Sequence, residues 1–227
     1  MTNEQVKKIV IGNGLFDEKE NTRIYYKFFR DWAENNSYVY KKFDISFDKK
    51  ILDIGCSYGQ NLIHFNKESV GIEAQHRTAE FSRALGLTVI EANIEDGILL
   101  DKKFDIIWCS DFLVHLISPY KFLYDYRKFL NDNGRLLIQI PLMSALNKHK
   151  SPCHLYAFDK KSLVYLMETA GYKIIKTSGC IRQLPGLVNK LLEPFLQIYG
   201  SNIWVLAEKS ETEINFTKSF LPKWFKE

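Results

Sequence analysis

The stretch that decides the fold is Ile51-Leu52-Asp53-Ile54-Gly55-Cys56-Ser57-Tyr58-Gly59, a short apolar run followed at once by small residues. An apolar run of this length is typical of a buried strand, and the small residues after it predict a tight turn. Gly55, Ser57 and Gly59 leave room for the backbone to approach a ligand closely, where a branched side chain would clash. The stretch therefore predicts a strand, a ligand-binding turn and then a helix.

From about residue 50 onward, strand-like runs alternate with helical patterns, which is typical of a parallel sheet covered by helices. The predicted strands are Lys50–Ile54, Ser69–Ile72, Thr88–Glu91, Phe104–Cys109, Gly134–Ile140, Tyr172–Thr177 and Asn202–Glu208. The predicted helices are Gln60–Asn66, Arg77–Leu85, Pro119–Leu130 and Lys160–Ala170, with Asp159 as an N-cap and Gly86 and Gly171 just past helix ends. The fold class is α/β with seven strands.

The regions outside this alternation predict additions to one domain. Residues 1–45 are expected to form a helical cap, because Ile24, Tyr25, Phe28, Phe29 and Trp32 recur with helical spacing. The main domain then covers 46–210, with an apolar insertion at 182–200 before the last strand. The turn Asn131–Gly134 is expected to begin the fifth strand. The tail 211–227 mixes aromatic residues with lysines and is expected to pack on its own domain or on a sister subunit.

Composition excludes several classes of protein. Of the 227 residues, 46% are hydrophobic and 26% are charged, a balance typical of a folded domain and not of a disordered chain. Apolar runs are only a few residues long, whereas a membrane span needs about 20. Residues 1–10 carry charges and lack the apolar core of a signal peptide, so we expect a cytoplasmic protein without stable membrane insertion. The net charge of +4 is too mild to predict a nucleic-acid partner.

Two acidic residues sharpen the interpretation of the predicted turn. A dinucleotide fingerprint needs glycines at 55, 57 and 60, but Ser57 and Gln60 interrupt it, so a nucleoside without a pyrophosphate fits better. Glu73 ends the second strand about 20 residues further on, where a carboxylate can accept bonds from both ribose hydroxyls. Asp53 at the strand–turn junction can satisfy turn amides or, directly or through water, a ligand's ammonium group. The alternative for each is a solvated or turn-capping acid.

The motifs together resemble the class I S-adenosylmethionine-dependent methyltransferases, in particular the small-molecule branch of ubiquinone-biosynthesis-like enzymes (methyltransferase types 11 and 23). The resemblance covers residues 50 to about 178. It rests on ILDIGCSYG as the first motif, VGIEA as the second-strand acid, EANIED as the adenine-side loop, FDIIWCSDFLVHL as the fourth strand and its turn, GRLLIQIP as the fifth strand, and HLYAFDKKSLVYLMETAGY as the segment before the sixth. The order and spacing of these motifs are more specific than any one of them.

The resemblance implies a Rossmann-like, seven-stranded, mostly parallel sheet with helices on both faces and an antiparallel last strand. It also implies S-adenosylmethionine as cofactor and S-adenosylhomocysteine as product. The implied cofactor-binding residues are Asp53, Gly55, Cys56, Ser57 and Gly59 in the first motif, Glu73 and Ala74 at the ribose, Asn93 and Ile94 at the adenine, and Cys109 and Ser110 beside the methionine moiety. Ser57 stands where the family commonly has glycine, and Asn93 where aspartate is frequent; an asparagine oxygen can still accept a hydrogen bond.

The acceptor side is less defined by sequence. A sulfonium already carries the activation, so positioning and a proton acceptor suffice, and no metal is expected because the sequence shows no compact ligand set. His154 and His115 are the candidate catalytic bases, since histidine can accept a proton at cellular pH. Each could instead fix a loop or pack structurally. The expected substrate-binding residues are Tyr25 and Tyr26 on the cap, Tyr156 beside His154, and Lys148 in a basic loop suited to an anionic acceptor, although that loop could be merely solvated.

The expected function is methyl transfer to an oxygen or nitrogen of a small-molecule acceptor, such as a sugar, nucleotide-linked or phosphorylated metabolite. The alternatives are a non-catalytic binding or scaffold subunit with the same fold, and an NAD-dependent oxidoreductase, which the missing third glycine disfavours. The protein is expected to be a monomer or homodimer.

Overall fold

The computed structural model describes residues 1–30, 39–143, 151–181 and 186–210. The predictions for Trp32, Lys148 and the tail 211–227 concern residues outside this part. Within it, the strands are β1 (Ile51–Ile54), β2 (Val70–Glu73), β3 (Val89–Glu91), β4 (Phe104–Ser110), β5 (Leu130–Pro141), β6 (Tyr172–Cys180) and β7 (Asn202–Lys209). All seven predicted strands are present, displaced by a few residues at their ends.

The strands form one sheet in the order β3-β2-β1-β4-β5-β7-β6. The first five strands in this order are parallel to one another, whereas β7 is antiparallel to both β5 and β6. The predicted fold class, a mostly parallel sheet with an antiparallel last strand, is confirmed. The order reverses between β1 and β4, and the carboxyl ends of parallel strands at such a switch point form a crevice where ligands bind.

The described helices are α1 (Asn3–Ile11), α2 (Glu18–Ile24), α3 (His76–Ala84), α4 (Pro119–Tyr126), α5 (Lys160–Thr169), α6 (Gly186–Leu191) and α7 (Glu193–Tyr199). Short 3-10 turns cover Leu62–His64, Ile94–Asp96, Leu113–His115 and Arg127–Phe129, and residues 39–43 are also helical. The predicted caps are confirmed. Asp159 forms a capping box with Ser162, and Gly86 and Gly171 adopt left-handed φ angles of 79° and 86° past their helices.

Three predicted elements differ in the structure. The prediction of a helix over Gln60–Asn66 is wrong, because only a 3-10 turn forms there. The Asn61 side chain bonds to Asp53 instead, and the Asn66 side chain donates to the Asp48 carbonyl. The Asn131–Gly134 turn lies inside β5 as an irregularity, where pairing shifts between Leu130 and Arg135. The amphipathic helix predicted in the cap is present as α2, but its second half, Tyr25–Phe29, is π-helical; Ile24, Tyr25 and Phe29 are buried as predicted.

Both faces of the sheet are covered. On one face, Leu52, Ile54 and Ile107 pack against α4 and α5. On the other face, Trp108 and Trp204 pack against residues 39–45. The helices α1 and α2 pack their apolar side chains against Phe81 of α3. The cap therefore shares its core with the sheet domain.

No helix in the described part of the chain combines the length and the apolar character that a membrane crossing requires. The described part of the 182–200 insertion is α6 and α7, and α7 lies against β6 with Leu196 buried. A Cβ atom added at Gly179 of β6 would lie 2.0 Å from the Leu196 carbonyl oxygen. The backbone of α7 thus packs directly against Gly179, where a side chain would not fit.

We predict that Gly179→Ala destabilises the protein by about 3 kcal/mol, because the added methyl group meets backbone and α7 must move. The matched control is Gly97→Ala, where φ is 81° and no atom lies within 4 Å of the added Cβ, so only backbone strain of about 1 kcal/mol is expected. Urea unfolding followed by circular dichroism measures both. Equal losses for the two variants would contradict the direct contact between α7 and β6.

Candidate active site

The crevice at the switch point is bordered by the turn after β1, by Glu73 at the end of β2 and by the turn after β4. Ser57 and Asp111, in the first and last of these segments, have left-handed φ angles of 51° and 56°. Non-glycine residues rarely adopt this conformation, and when they do they often lie at functional sites. Two of the three non-glycine residues with a left-handed φ in the described part of the chain therefore border the predicted crevice, and the third, Asp44, lies in the segment before β1.

The β1 turn is fixed by bonds to neighbouring elements. The Gly55 and Cys56 amides both donate to the Ile72 carbonyl of β2, at 2.9 and 3.1 Å. The Ser57 amide donates to Glu73 Oε2 at 2.9 Å, and the Ser57 carbonyl accepts from Ser82 Oγ of α3 at 2.9 Å. The turn is thus held in its conformation by residues of β2 and α3.

Glu73 has both carboxylate oxygens in contact with backbone amides. Oε2 accepts from Ser57, and Oε1 accepts from Gln75 at 2.8 Å. A carboxylate offers about four lone pairs, so each oxygen can accept one further bond. The side chain is partly exposed, whereas the following residue, Ala74, is exposed. Glu73 is therefore a fixed acceptor with capacity for two hydroxyl donors.

Asp53 is 1% exposed, and its Oδ2 atom has no hydrogen-bond partner. Burial raises the pKa of Asp53 well above its ordinary value; a hydrogen bond from Asn61 opposes this, and the charge of Glu73 adds to it. Buried polar atoms are nearly always paired, so the Oδ2 atom of Asp53 is suited to bind a hydrogen-bond donor or a cation in the crevice.

Two predicted cofactor contacts are buried thiols. Cys56 and Cys109 are fully buried in the cores on the two faces of the sheet, and burial raises the pKa of each thiol. In this conformation only their backbone atoms face the turns. Ser110, next to Cys109, is partly exposed and donates to Gln139 Oε1 at 2.9 Å.

The predicted adenine-side residues lie in a 3-10 turn. The Asn93 Oδ1 atom accepts from the Glu95 amide at 3.2 Å, so it caps this turn. Ile94 is 4% exposed and packs in the core. Glu95, which sequence reasoning passed over, accepts from the amides of Ile117 and Ser118 at 3.1 and 2.8 Å. The Glu95 carboxylate thereby ties the adenine-side loop to the start of α4.

Phe112 was also missed from the sequence. A Cβ added at Gly55 would lie 2.4 Å from Phe112 Cδ2, so the ring crosses from the β4 turn onto the β1 turn. This contact places the following 3-10 turn, Leu113–His115, beside the crevice. The signal in the sequence was weak, since one aromatic residue in an apolar stretch is normally assigned to the core.

The structure brings the two predicted catalytic histidines together. The rings of His115 and His154 are perpendicular, with centroids 4.6 Å apart. His115 Nδ1 lies 3.0 Å from the Cys153 carbonyl oxygen, and the Leu155 amide donates to the Val114 carbonyl at 2.8 Å. The segment after β5 is thus fastened to the turn after β4.

The predicted substrate-binding residues are dispersed. Tyr156 is 38% exposed, and its hydroxyl donates to the Ile117 carbonyl at 2.8 Å. Tyr26 is exposed with the Arg30 guanidinium over its ring, whereas Tyr25 is buried in the cap core. Lys148 lies outside the described residues.

Comparison with known proteins identifies the family. A family model described as a methyltransferase domain matches residues 26–177. The mitochondrial ubiquinone biosynthesis O-methyltransferase of Schizosaccharomyces pombe is 29% identical over 102 residues, which are 40% of this chain and 37% of that protein. An uncharacterized protein of Methanocaldococcus jannaschii is 26% identical over 182 residues, 80% of this chain and 79% of that one.

Among solved structures, a Thermotoga maritima protein described as an S-adenosylmethionine-dependent methyltransferase, possible histamine N-methyltransferase, has a TM-score of 0.63. It is 22% identical and covers 85% of this chain and 96% of its own, so it supports the fold. The crevice fits such a cofactor, because Glu73 has acceptor capacity for a ribose and Asp53 has an unpaired oxygen suited to an ammonium. The chain belongs to the class I S-adenosylmethionine-dependent methyltransferases, and S-adenosylmethionine is its cofactor.

Proposed function

We propose that the enzyme binds its cofactor across the carboxyl ends of β1, β2 and β4 and transfers the methyl group to an oxygen or nitrogen of a small molecule. The contact between the His115 and His154 rings is the observation that supports this acceptor site. These histidines come from distant segments, and His115 ends the 3-10 turn that follows Phe112, whose ring contacts the position of Gly55. This contact supports an acceptor pocket beside the cofactor crevice, in which two groups able to take a proton would face the acceptor.

On the cofactor side, Glu73 would accept bonds from the ribose hydroxyls while it continues to hold the Ser57 amide. Asp53 would stabilise the ammonium group, directly or through water, and this charge would favour the ionised carboxylate. Asn93 and Ile94 would border the adenine, with the Asn93 amide nitrogen available as a donor while its oxygen caps the turn. Gly55, Gly59, Ala74, Ser110 and the backbone of Cys56 and Cys109 would complete the walls.

Methyl transfer requires the protein to position the acceptor and to remove one proton. When bound, S-adenosylmethionine supplies an electrophilic methyl carbon on a positively charged sulfur. His154 or His115 would take the proton from the acceptor's O–H or N–H group. His115 donates from Nδ1 to the Cys153 carbonyl, because a carbonyl can only accept, and its Nε2 therefore carries the lone pair. Tyr156 and Tyr26, both exposed, would contact the acceptor.

A small metabolite is the acceptor class that the observations favour. One relative is named for O-methylation in ubiquinone biosynthesis and one structural neighbour for N-methylation of histamine as a possible activity, so related folds are named for both acceptor atoms. The mild net charge of +4 gives little attraction for a nucleic-acid backbone. A phosphorylated or sugar-linked acceptor, a cytoplasmic location and a monomeric or homodimeric state remain predictions.

We predict that Glu73→Ala weakens S-adenosylmethionine binding about 100-fold, because the ribose loses its acceptor and the Ser57 amide loses its partner. The matched control is Glu91→Ala. Glu91 is the register partner of Glu73 on β3, but it pairs with Arg83 and His76 on the surface. Isothermal titration calorimetry should show at most a few-fold change for Glu91→Ala. Equal effects of the two substitutions would contradict the assignment of the ribose to Glu73.

We predict that S-adenosylmethionine affinity rises with pH in the range where Asp53 of the free protein ionises, which burial moves above the range of an ordinary carboxyl group. A bound ammonium lowers the pKa of Asp53, so binding releases a proton in this range and higher pH favours binding. Asp53→Asn should weaken binding and flatten this dependence. Titrations in buffers of different ionisation enthalpy measure the released proton directly. Proton release that persists in Asp53→Asn would show that another group responds.

We predict that S-adenosylhomocysteine forms when the enzyme is incubated with a panel of catechols, sugar nucleotides and phosphorylated hydroxy acids, and not with RNA, DNA or protein. With the best acceptor, His154→Gln should lower kcat about 100-fold and leave the KM for S-adenosylmethionine unchanged, as expected when a base is lost. His115→Gln is measured beside it, and His76→Gln, an exposed histidine on α3, is the control. Wild-type kcat in both His154→Gln and His115→Gln would exclude a histidine base.

A further inference from the structure

We propose that His115, Cys153 and His154 form a binding site for a divalent transition-metal ion, with zinc as the expected ion. One ligand atom from each residue lies within 4.8 Å of the other two. Imidazole nitrogens and a thiolate sulfur are the donors that zinc prefers in proteins, whereas magnesium and calcium prefer oxygen. Sequence reasoning expected no metal, because these residues are not arranged in a recognisable spacing along the chain.

The distances allow an ion to be bound with small movements. Zinc bonds of about 2.0 Å to nitrogen and 2.3 Å to sulfur place tetrahedral ligand atoms about 3.3 to 3.6 Å apart. The three atoms therefore need to approach one another by at most about 1.5 Å. Rotation about the one side-chain bond of the exposed Cys153 can move its sulfur, and reorientation of the partly buried His154 ring can shorten the separation of the two histidine nitrogens.

The hydrogen bond of His115 prepares its ring for a metal. A ligating histidine usually donates its second ring N–H to a carboxylate or a backbone carbonyl, which fixes the tautomer and the ring orientation. His115 does this from Nδ1 to the Cys153 carbonyl at 3.0 Å. The Nε2 lone pair is then the available ligand. The same bond also links one proposed ligand residue to the backbone of another.

The thiol has a polar neighbour of its own. Ser151 Oγ lies 2.9 Å from Cys153 Sγ, so a hydroxyl that can donate to the sulfur of a ligating cysteine is already in place. Cys56 and Cys109, in contrast, are buried in apolar surroundings that raise the pKa of each thiol. Among the described cysteines, Cys153 is thus the one placed for ligation.

Two further hydrogen bonds hold the ligand-bearing segments together without the side chains of the proposed ligands. The Leu155 amide donates to the Val114 carbonyl at 2.8 Å, and the Tyr156 hydroxyl donates to the Ile117 carbonyl at 2.8 Å. His154 and His115 are each adjacent to one of the residues in the first of these bonds. These bonds hold the main chains of the ligand residues close together, so the proximity of the ligands does not depend on their side-chain rotamers alone.

Three protein ligands leave a fourth tetrahedral position open, as in catalytic zinc sites. This part of the inference rests on the proposed function: the open position would take the acceptor's oxygen, and the ion would lower the pKa of that hydroxyl. A histidine that ligates through Nε2 cannot also accept the acceptor's proton at that atom, so with the ion bound the two histidines would act as ligands in place of bases, and the proton of the acidified hydroxyl would pass to water. Metal binding by the three residues does not itself depend on the proposed function.

The test is a titration of zinc chloride into chelator-treated full-length protein, followed by calorimetry, and a parallel titration of cobalt chloride followed by absorption. We expect one equivalent of zinc to bind and cobalt to give a sulfur-to-metal charge-transfer band. Cys153→Ser, which keeps the other three cysteines, should abolish that band and weaken zinc binding at least tenfold. His154→Gln should weaken zinc binding similarly. The exposed position of Cys153 makes a folding defect unexpected, and circular dichroism checks this.

His76→Gln is the control, because His76 lies 2.9 Å from Glu91 and 3.9 Å from Glu80 and is the competing exposed cluster. Zinc binding that survives Cys153→Ser and His154→Gln, or that is lost in His76→Gln, overturns the proposal, as does the absence of zinc binding to the wild type. Each variant is also titrated with S-adenosylmethionine. Cofactor binding and methyl transfer without zinc binding would overturn the metal site alone, whereas zinc binding without methyl transfer would overturn only the proposed function.

Discussion

The hydrogen bond from the Ser57 amide to Glu73 Oε2 is the constraint on which the cofactor side depends. Ser57 adopts a left-handed conformation that costs a non-glycine residue about 1 kcal/mol or more. The charge-assisted bond to Glu73 offsets that cost and fixes the turn against β2. Glu73 therefore fixes the turn after β1 without a ligand, and each of its oxygens retains capacity for one further bond. This preorganisation explains why serine is tolerated where glycine is common in the family.

A second set of contacts extends this order from the cofactor side to the acceptor side. The absence of a side chain at Gly55 admits the Phe112 ring, and the turn after Phe112 carries His115. Glu95 binds the amides of Ile117 and Ser118 from the opposite side, so the turn is held between the β1 turn and the adenine-side loop. One short segment after β4 thus contacts both the proposed cofactor side and the proposed acceptor side of the site. Displacement of that segment would change both halves together.

Periodicity predicted the sheet well, because central strands such as β1, β4 and β7 bury both faces and appear as continuous apolar runs. It also placed Asp159 and Gly171 at helix ends. It failed at Gln60–Asn66, where asparagine side chains bond to Asp53 and to backbone elsewhere, a competition that apolar spacing does not reveal. Family motifs named Cys109 as a cofactor contact, but only the structure shows that its side chain faces the core. The proximity of Cys153 to His115 could not be predicted for another reason: the two residues are distant in sequence, and tertiary contacts alone bring them together.

Charge balance connects the proposed metal to the kind of acceptor. The cofactor carries a sulfonium, and a divalent ion beside it would add repulsion in a partly desolvated crevice. One thiolate ligand, Cys153, would cancel one of the two metal charges, and two neutral histidines would cancel none. An acceptor oxygen bound as its anion would cancel the second charge, whereas a neutral amine would leave it. A site with one thiolate is thus better matched to an oxygen nucleophile than to a nitrogen one, so the metal proposal favours O-methylation within the broader proposed function.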